Sequence, residues 1–177
     1  MPSGKVHDKI SFTLLPVIAG GSYLLTGDIK QTGIVSASYL FSALMFSGDL
    51  DIKSKQSNRW GILSFIWIPY RKIFSHRSKF THSAIIGTIV RVLYLATIIF
   101  GFLILGNFIS NFFFQKEIVN IETIIQHSKT TLIENIYVAL LIFVGLTVGA
   151  LSHTITDVIY SNCKKLFRNK KKQKRRK

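Results

Sequence analysis

Four long apolar stretches organise the chain, at about residues 10–26, 32–48, 84–109 and 136–160. A helix crossing the roughly 30 Å hydrocarbon layer of a membrane needs about 20 mostly apolar residues. The last two stretches meet that length; only Arg91 interrupts the third, and the fourth is clean until His153. The first two are shorter, but Gly27-Asp28-Ile29-Lys30 joins them as a hairpin, and Pro16 predicts a kink in the first. A fifth run, residues 60–70, is too short to cross. Its Trp60, Trp67 and Tyr70 are flanked by Arg59, Arg71 and Lys72, which suits either a segment in the headgroup layer or a loop packed on the bundle. Residues 111–131 have balanced charge and predict an outer loop, partly helical. The pattern predicts an all-α polytopic membrane protein, about four transmembrane helices in a bundle.

Composition narrows the class. The chain has 177 residues, enough for one domain, and is 48% hydrophobic with a mean hydropathy of +0.34 despite a net charge of +15. Such apolarity excludes a soluble nucleic-acid binder, and 14 Phe exclude a disordered basic chain. Cys163 is the only cysteine, so no disulfide framework and no Cys-ligated zinc module exists. With both termini on one face, that face receives 19 Lys and Arg, and the other keeps Lys30, Lys116 and Lys129. By the positive-inside rule both termini are expected in the cytoplasm. Leu25-Thr26-Gly27-Asp28 offers no small-x-small cleavage site, so the first span reads as retained. The expected division is an integral-membrane metal-binding domain over 1–163 and a basic cytoplasmic tail over 164–177, disordered and drawn to the anionic headgroups of membrane lipids rather than to any specific nucleic acid.

Scarce residues then point to chemistry. Of five Asp and five His, four of each border the apolar stretches. His7 and Asp8 precede the first, Asp49 and Asp51 close the second, His76 and His82 lead into the third, and His153 and Asp157 end the fourth. The topology places all eight at one end of four helices, which a bundle brings within about 8–10 Å of one another. Carboxylates near hydrocarbon cost roughly 2.5–3.5 kcal/mol on insertion scales, a cost that a bound dication offsets. His153 and Asp157, four apart, share a helical face. Asp49 and Asp51 point to one side if the chain past Gly48 is extended. Imidazole and carboxylate without thiolate favour zinc, manganese or iron, and eight groups suffice for two ions. Asp8 and Asp51 are candidates to orient imidazoles by accepting their other N–H. Thr81 and Ser83 are candidate capping or supporting hydroxyls, and Arg77 could hold a substrate phosphate in bidentate fashion.

The opening Met1-Pro2-Ser3-Gly4-Lys5-Val6-His7-Asp8, the segment Phe46-Ser47-Gly48-Asp49-Leu50-Asp51-Ile52, and the stretch from Pro69-Tyr70-Arg71-Lys72 to His82-Ser83 resemble the hallmarks of a bacterial family of uncharacterised membrane proteins described as metal-binding. Asp-Leu-Asp, His-Arg followed by Thr-His-Ser, and Ser-His-x-x-x-Asp are more distantly similar to membrane-bound metal-dependent hydrolases. That wider group commonly has Pro where this chain has Gly48, and one extra residue here separates His76-Arg77 from Thr81-His82. The resemblance implies metal ligation at His7, Asp49, His82, His153 and Asp157, with Asp51 and His76 beside them, in a bacterial plasma or internal membrane.

Two functions follow as expectations. One is metal-dependent hydrolysis of a phosphoester or lipid-like substrate at the cytoplasmic membrane face. The other is non-catalytic metal binding, for storage, sensing or stapling the bundle. An ion transporter fits less well, because the first two spans carry no ionisable residue near mid-membrane.

Overall fold

A computed structural model describes residues 3–74, 83–114 and 120–174. Their regular structure is helical, with no strand among the described residues. The helices are α1 (Gly4–Thr26), α2 (Ile29–Met45), α3 (Lys55–Asn58), α4 (Trp67–Ile73), α5 (Ala84–Phe114), α6 (Ile121–Glu134) and α7 (Ile136–Lys174), with 3₁₀ turns at Gly48–Asp51 and Gly61–Ile66. Four segments, Gly4–Thr26, Ile29–Asp51, Ala84–Phe113 and Ile136–Lys165, are long and apolar enough to cross a membrane.

The α1–α2 hairpin follows from local chemistry. Gly27 closes α1 in the left-handed conformation at φ 64°, and its N–H donates to the Tyr23 carbonyl. Asp28 then caps α2, its carboxylate accepting from the N–H groups of Lys30 and Gln31 at 2.6 and 3.3 Å. Helix α1 runs on through Pro16 as one element and begins earlier than the apolar pattern indicates, so His7 and Asp8 lie inside its first turns.

Helix α2 lies between α1 and α7, and α5 packs on α7. The α2–α7 seam is tight because α7 presents Gly145 and Gly149. A Cβ on Gly145 would stand 2.6 Å from the Val35 carbonyl oxygen, and one on Gly149 2.6 Å from both Ser42 Cβ and the Tyr39 carbonyl oxygen. Small residues spaced by four let two backbones approach closely. Ser42 uses that approach to donate to the Leu146 carbonyl at 2.6 Å, and the Tyr39 hydroxyl donates to the Ser11 carbonyl at 3.1 Å. Ser11, Ser42, Ser47 and Thr88 are buried, while Leu24, Leu25, Phe112 and Phe113 are exposed. Polar and small side chains inside with large apolar ones outside is the arrangement of helices solvated by lipid.

An aromatic cluster closes the bundle at the end where α1 starts. Residues 60–70 take the packed alternative: Trp67 and Tyr70 are fully buried against Phe46 and Leu50, with Trp60 and Tyr94 around them. Trp60 Nε1 and Arg59 Nη1 donate to the carbonyls of Met45 and Leu44, each at 2.9 Å, satisfying acceptors that the end of α2 leaves open. Ile62, Leu63, Phe65 and Ile68 of the same segment face outward. Helix α7 continues into the basic segment from residue 164 and runs through Lys174. The expected outer loop contains α6, capped by Asn120.

Candidate metal centre

The site is built where α1 begins, α2 ends and α7 passes beside them. In α1 the first turns carry His7, and in α7 the four-residue spacing sets His153 and Asp157 one above the other. His7, His153 and Asp157 are all buried, with one ligand atom of each within 4.8 Å of the others. Asp49 reaches the same point from the 3₁₀ turn that follows α2.

The separations have a particular size. His7 Nε2 lies 3.4 Å from Asp157 Oδ1, His153 Nε2 lies 3.5 Å from Asp49 Oδ1, and His153 Nε2 lies 3.7 Å from Asp157 Oδ2. Good hydrogen bonds between such groups are roughly 2.7–3.2 Å. Donor atoms sharing a tetrahedral ion at about 2.1 Å lie about 3.4 Å apart. These three separations sit near the spacing of donors that share one cation. His7, His153 and Asp157 form one compact group, and Asp49 adjoins it through His153. The His7 and His153 rings are stacked, 4.1 Å between centroids, and His7 Nδ1 has no hydrogen-bond partner among the described residues.

Surrounding groups fix these donors. Gln56 of α3 places its amide nitrogen 3.3 Å from His153 Nδ1 while donating to Ser47 Oγ at 2.6 Å and to the Ala43 carbonyl at 3.1 Å. Ser54 caps α3 and donates to the Asp49 carbonyl at 2.8 Å. Gly4 lets the start of α1 press on α3, where an added Cβ would meet Lys55 at 2.9 Å. A cavity of about 200 Å³ opens beside the donors, lined by His7, Asp49 and His153 together with Asp8, Lys53, Lys55 and Arg59.

Each expected residue can now be placed. His7, Asp49, His153 and Asp157 converge. Asp51 does not join them: the turn over Gly48–Asp51 is 3₁₀ rather than extended, so residues two apart point in different directions. Asp51 is buried and instead acts on Tyr70 and on Arg91 of α5. Burial drives the Tyr70 hydroxyl up from 10.0 to about 12, with Arg91 opposing and Asp51 adding to the rise. Asp8 pairs with Lys55 and with Arg59 Nη2 at 2.7 Å and lines the same cavity as His7 and His153. Arg91 is buried over the Phe46 ring and donates to Thr88, so it does not snorkel to headgroups. Ser83 accepts from the Ile86 N–H at the start of α5. His76, Arg77, Thr81 and His82 lie outside the described residues. Gln56, Ser47 and Ser54 were not expected at the site, since a polar loop carries no periodicity that would distinguish them from solvated neighbours.

A helical bundle with buried imidazole and carboxylate donors from its first and last long helices defines a helical metal-binding protein. The chain matches the family described as "Uncharacterized metal-binding protein (DUF2227)" over residues 2–167, and it belongs to that family. It is also similar to a protein of Aquifex aeolicus (strain VF5) described as an uncharacterized protein, 41% identical over 58 residues. That alignment covers 32% of this chain and 40% of the relative's length. No solved structure matches the chain.

Proposed function

We propose that the protein is an integral membrane metalloenzyme that hydrolyses a phosphoester, with both termini and the metal site at the cytoplasmic face. The observation that carries this reading is the buried His7–His153–Asp157 group, with Asp49 3.5 Å from His153, beside a cavity lined by Lys53, Lys55, Arg59, Asp8 and Asp49. The tetrahedral spacing favours zinc over manganese as the occupant. His82 and His76 are proposed as further donors, able to complete a second ion, and Arg77 as a further phosphate ligand. His7, His153 and Asp157, with Asp49 beside them, would hold a divalent ion, which would supply Lewis-acid charge to a phosphoryl oxygen and lower the pKa of water. Water adds at phosphorus, the P–O ester bond breaks, and the leaving alcohol takes the proton.

The residues of the chain orient that reaction. Lys53, Lys55 and Arg59 line the cavity and attract an anionic group. Asp8 ties Lys55 and Arg59 together, fixing two of those cations near the opening. Gln56 sets the His153 ring, and Ser54 steadies the turn that carries Asp49. Lipid solvation is supported by the four apolar segments and the apolar exterior. The 19-to-3 cation asymmetry supports the sidedness.

Purified protein in detergent, loaded with zinc or manganese, is to be assayed for phosphate release from phosphomonoesters, and for cleavage of phosphodiesters and phospholipids. Hydrolysis lost in His153→Ala and on chelation is expected; hydrolysis that survives both excludes the mechanism. Burial of His153 at 3% exposure favours a second reading, an ion that only staples α1 to α7. That reading predicts metal-dependent stability with no turnover.

A further inference from the structure

The one Lys or Arg buried among the described residues is Arg91 of α5, 1% exposed, and the proposed reaction makes no use of it. Its guanidinium carbon stands 5.7 Å from the centre of the Phe46 ring, and Nη2 donates to Thr88 Oγ1 at 3.1 Å. Arg91 is not among the residues lining the charged cavity, so it is not a substrate group there. Burying a charge is costly, and a well-packed apolar side chain often stabilises a core as well or better. What sets this cation apart is its counterpart Asp51, which is also buried and acts on both Arg91 and Tyr70.

Asp51 shares one 3₁₀ turn, Gly48–Asp51, with the donor Asp49. At three residues per turn, successive side chains point about 120° apart. Asp49 accordingly points to α7, 3.5 Å from His153, Leu50 enters the aromatic cluster, and Asp51 faces the charge of Arg91. Backbone bonding holds the turn weakly. The Leu50 N–H reaches the Ser47 carbonyl at 3.3 Å and the Ile52 N–H reaches the Asp49 carbonyl at 3.4 Å. Both exceed the usual N–H···O separation of roughly 2.9–3.0 Å. Ser54 anchors one carbonyl, that of Asp49, at 2.8 Å, and the side chains set the rest. Helix α5 grips the turn on both sides of Asp49. Arg91 covers Phe46 before it, while Val90, Tyr94 and Leu95 pack on the cluster that holds Leu50 after it.

The geometry points to Arg91 as a positioning residue for the metal centre: through Phe46 and Asp51 it fixes the rotation of the Gly48–Asp51 turn and so aims Asp49 at His153. The assignment rests on the proposed metal centre, not on its hydrolytic chemistry. Without the guanidinium the turn rotates and Asp49 leaves His153, while His7, His153 and Asp157 stay in place on α1 and α7. An ion then keeps those three donors and loses the fourth.

The test uses the full chain in detergent, with zinc or cobalt(II) as the probe. Arg91→Met combined with Asp51→Asn removes both charges, so neither is left buried opposite nothing. Zinc affinity, read by competition against a chromogenic chelator, is expected to fall about 10–100-fold, the loss typical of groups that orient ligands. The same two changes made on top of Asp49→Asn should cost less than about twofold further, because no aimed carboxylate is left to lose. Arg91→Lys, which keeps the cation without the planar fork, should fall between wild type and the charge-free pair. Cobalt(II) supplies a reading that stability alone does not move. The visible spectrum of the ion bound to the charge-free pair should match that of Asp49→Asn rather than that of wild type. An affinity equal to wild type overturns the assignment, as does an equal fold-loss with and without Asp49, the mark of general damage. If the charge-free pair does not fold, Arg91→Lys is taken through the same cycle, with the same two overturning results. Wild-type protein that binds neither ion removes the metal centre and this assignment together. Bound metal without phosphate release removes the hydrolase alone.

Discussion

The imidazole of His7 stacks on that of His153, centroids 4.1 Å apart and planes 25° from parallel, although the two lie in the first and last helices. Two buried rings so close, with Asp157 3.4 Å from one and 3.7 Å from the other, form one group whose ligand atoms lie within 4.8 Å of one another. Replacing either ring should therefore remove bound metal as effectively as replacing both. His7→Ala and His153→Ala are each expected to lower bound zinc from near one equivalent to near zero, measured by elemental analysis after gel filtration. In the wild type, metal at 100 times its dissociation constant adds about 2.7 kcal/mol of stability, and chelator should erase that gain only where both rings are present.

Asp8 and Asp49 should separate cleanly in the same measurement. Asp49→Asn removes a donor 3.5 Å from His153 and is expected to weaken zinc binding strongly. Asp8→Asn frees Lys55 and Arg59 but touches no imidazole, so zinc content should stay unchanged. Equal metal loss in the two variants would show that Asp8 is a ligand.

Gln56 offers a subtler test. Its amide stands beside His153 Nδ1 and bonds to Ser47 and Ala43, so Gln56→Ala leaves every donor in place while loosening one ring. Loss of such an orienting partner typically costs about 10–100-fold in metal affinity. Competition against a chromogenic chelator should read that range; an affinity equal to wild type would mean that the ring is held by packing alone.

The α2–α7 seam predicts a stability effect without any metal. Gly149→Leu drives a side chain into Ser42 and the Tyr39 carbonyl, which a Cβ alone already meets at 2.6 Å. Overpacking of this kind costs about 1–3 kcal/mol or more. Unfolding in mixed detergent micelles should occur at lower denaturing-detergent fraction than for wild type. Gly101→Leu, at a position with open space around it, should unfold as wild type does.

Tyr70 sets an alkaline limit. Its hydroxyl titrates at about 12 in the fold against 10.0 when unfolded, so the neutral form is favoured by folding. The associated stability is complete below 10 and is lost as pH rises through about 12. Difference absorbance of phenolate between wild type and Tyr70→Phe should show one tyrosine titrating near 12 in the folded state, and near 10.0 after denaturation.

Much of this architecture is legible in apolar run length. The spans beginning near Ala84 and Ile136 announce themselves because twenty apolar residues in succession have few other uses. Run length is silent on how far a helix continues into polar chain. Helix α1 takes in Gly4 to Lys9, and α7 runs on through consecutive lysines, because neither Lys5–Lys9 nor the lysine run contains a proline or glycine that would stop it. At the site, the four-residue spacing of His153 and Asp157 identifies a shared face directly. Asp49 and Asp51 are harder, since two-residue spacing means opposite things in a strand and in a 3₁₀ turn, and the choice is made by packing of Leu50 into the aromatic cluster. Gln56 was invisible for another reason: its role depends on α3 being pressed onto α1 at Gly4, a contact between segments remote in sequence.

The donors' distribution along the chain carries a consequence for biogenesis. On the proposed membrane reading, α1 and α2 are inserted well before α7 exists, so His7 and Asp49 must wait for His153 and Asp157. On that reading, capture of an ion would fall at the close of assembly, after the last long helix has docked through Gly145 and Gly149, and loading would act as a seal on completed insertion.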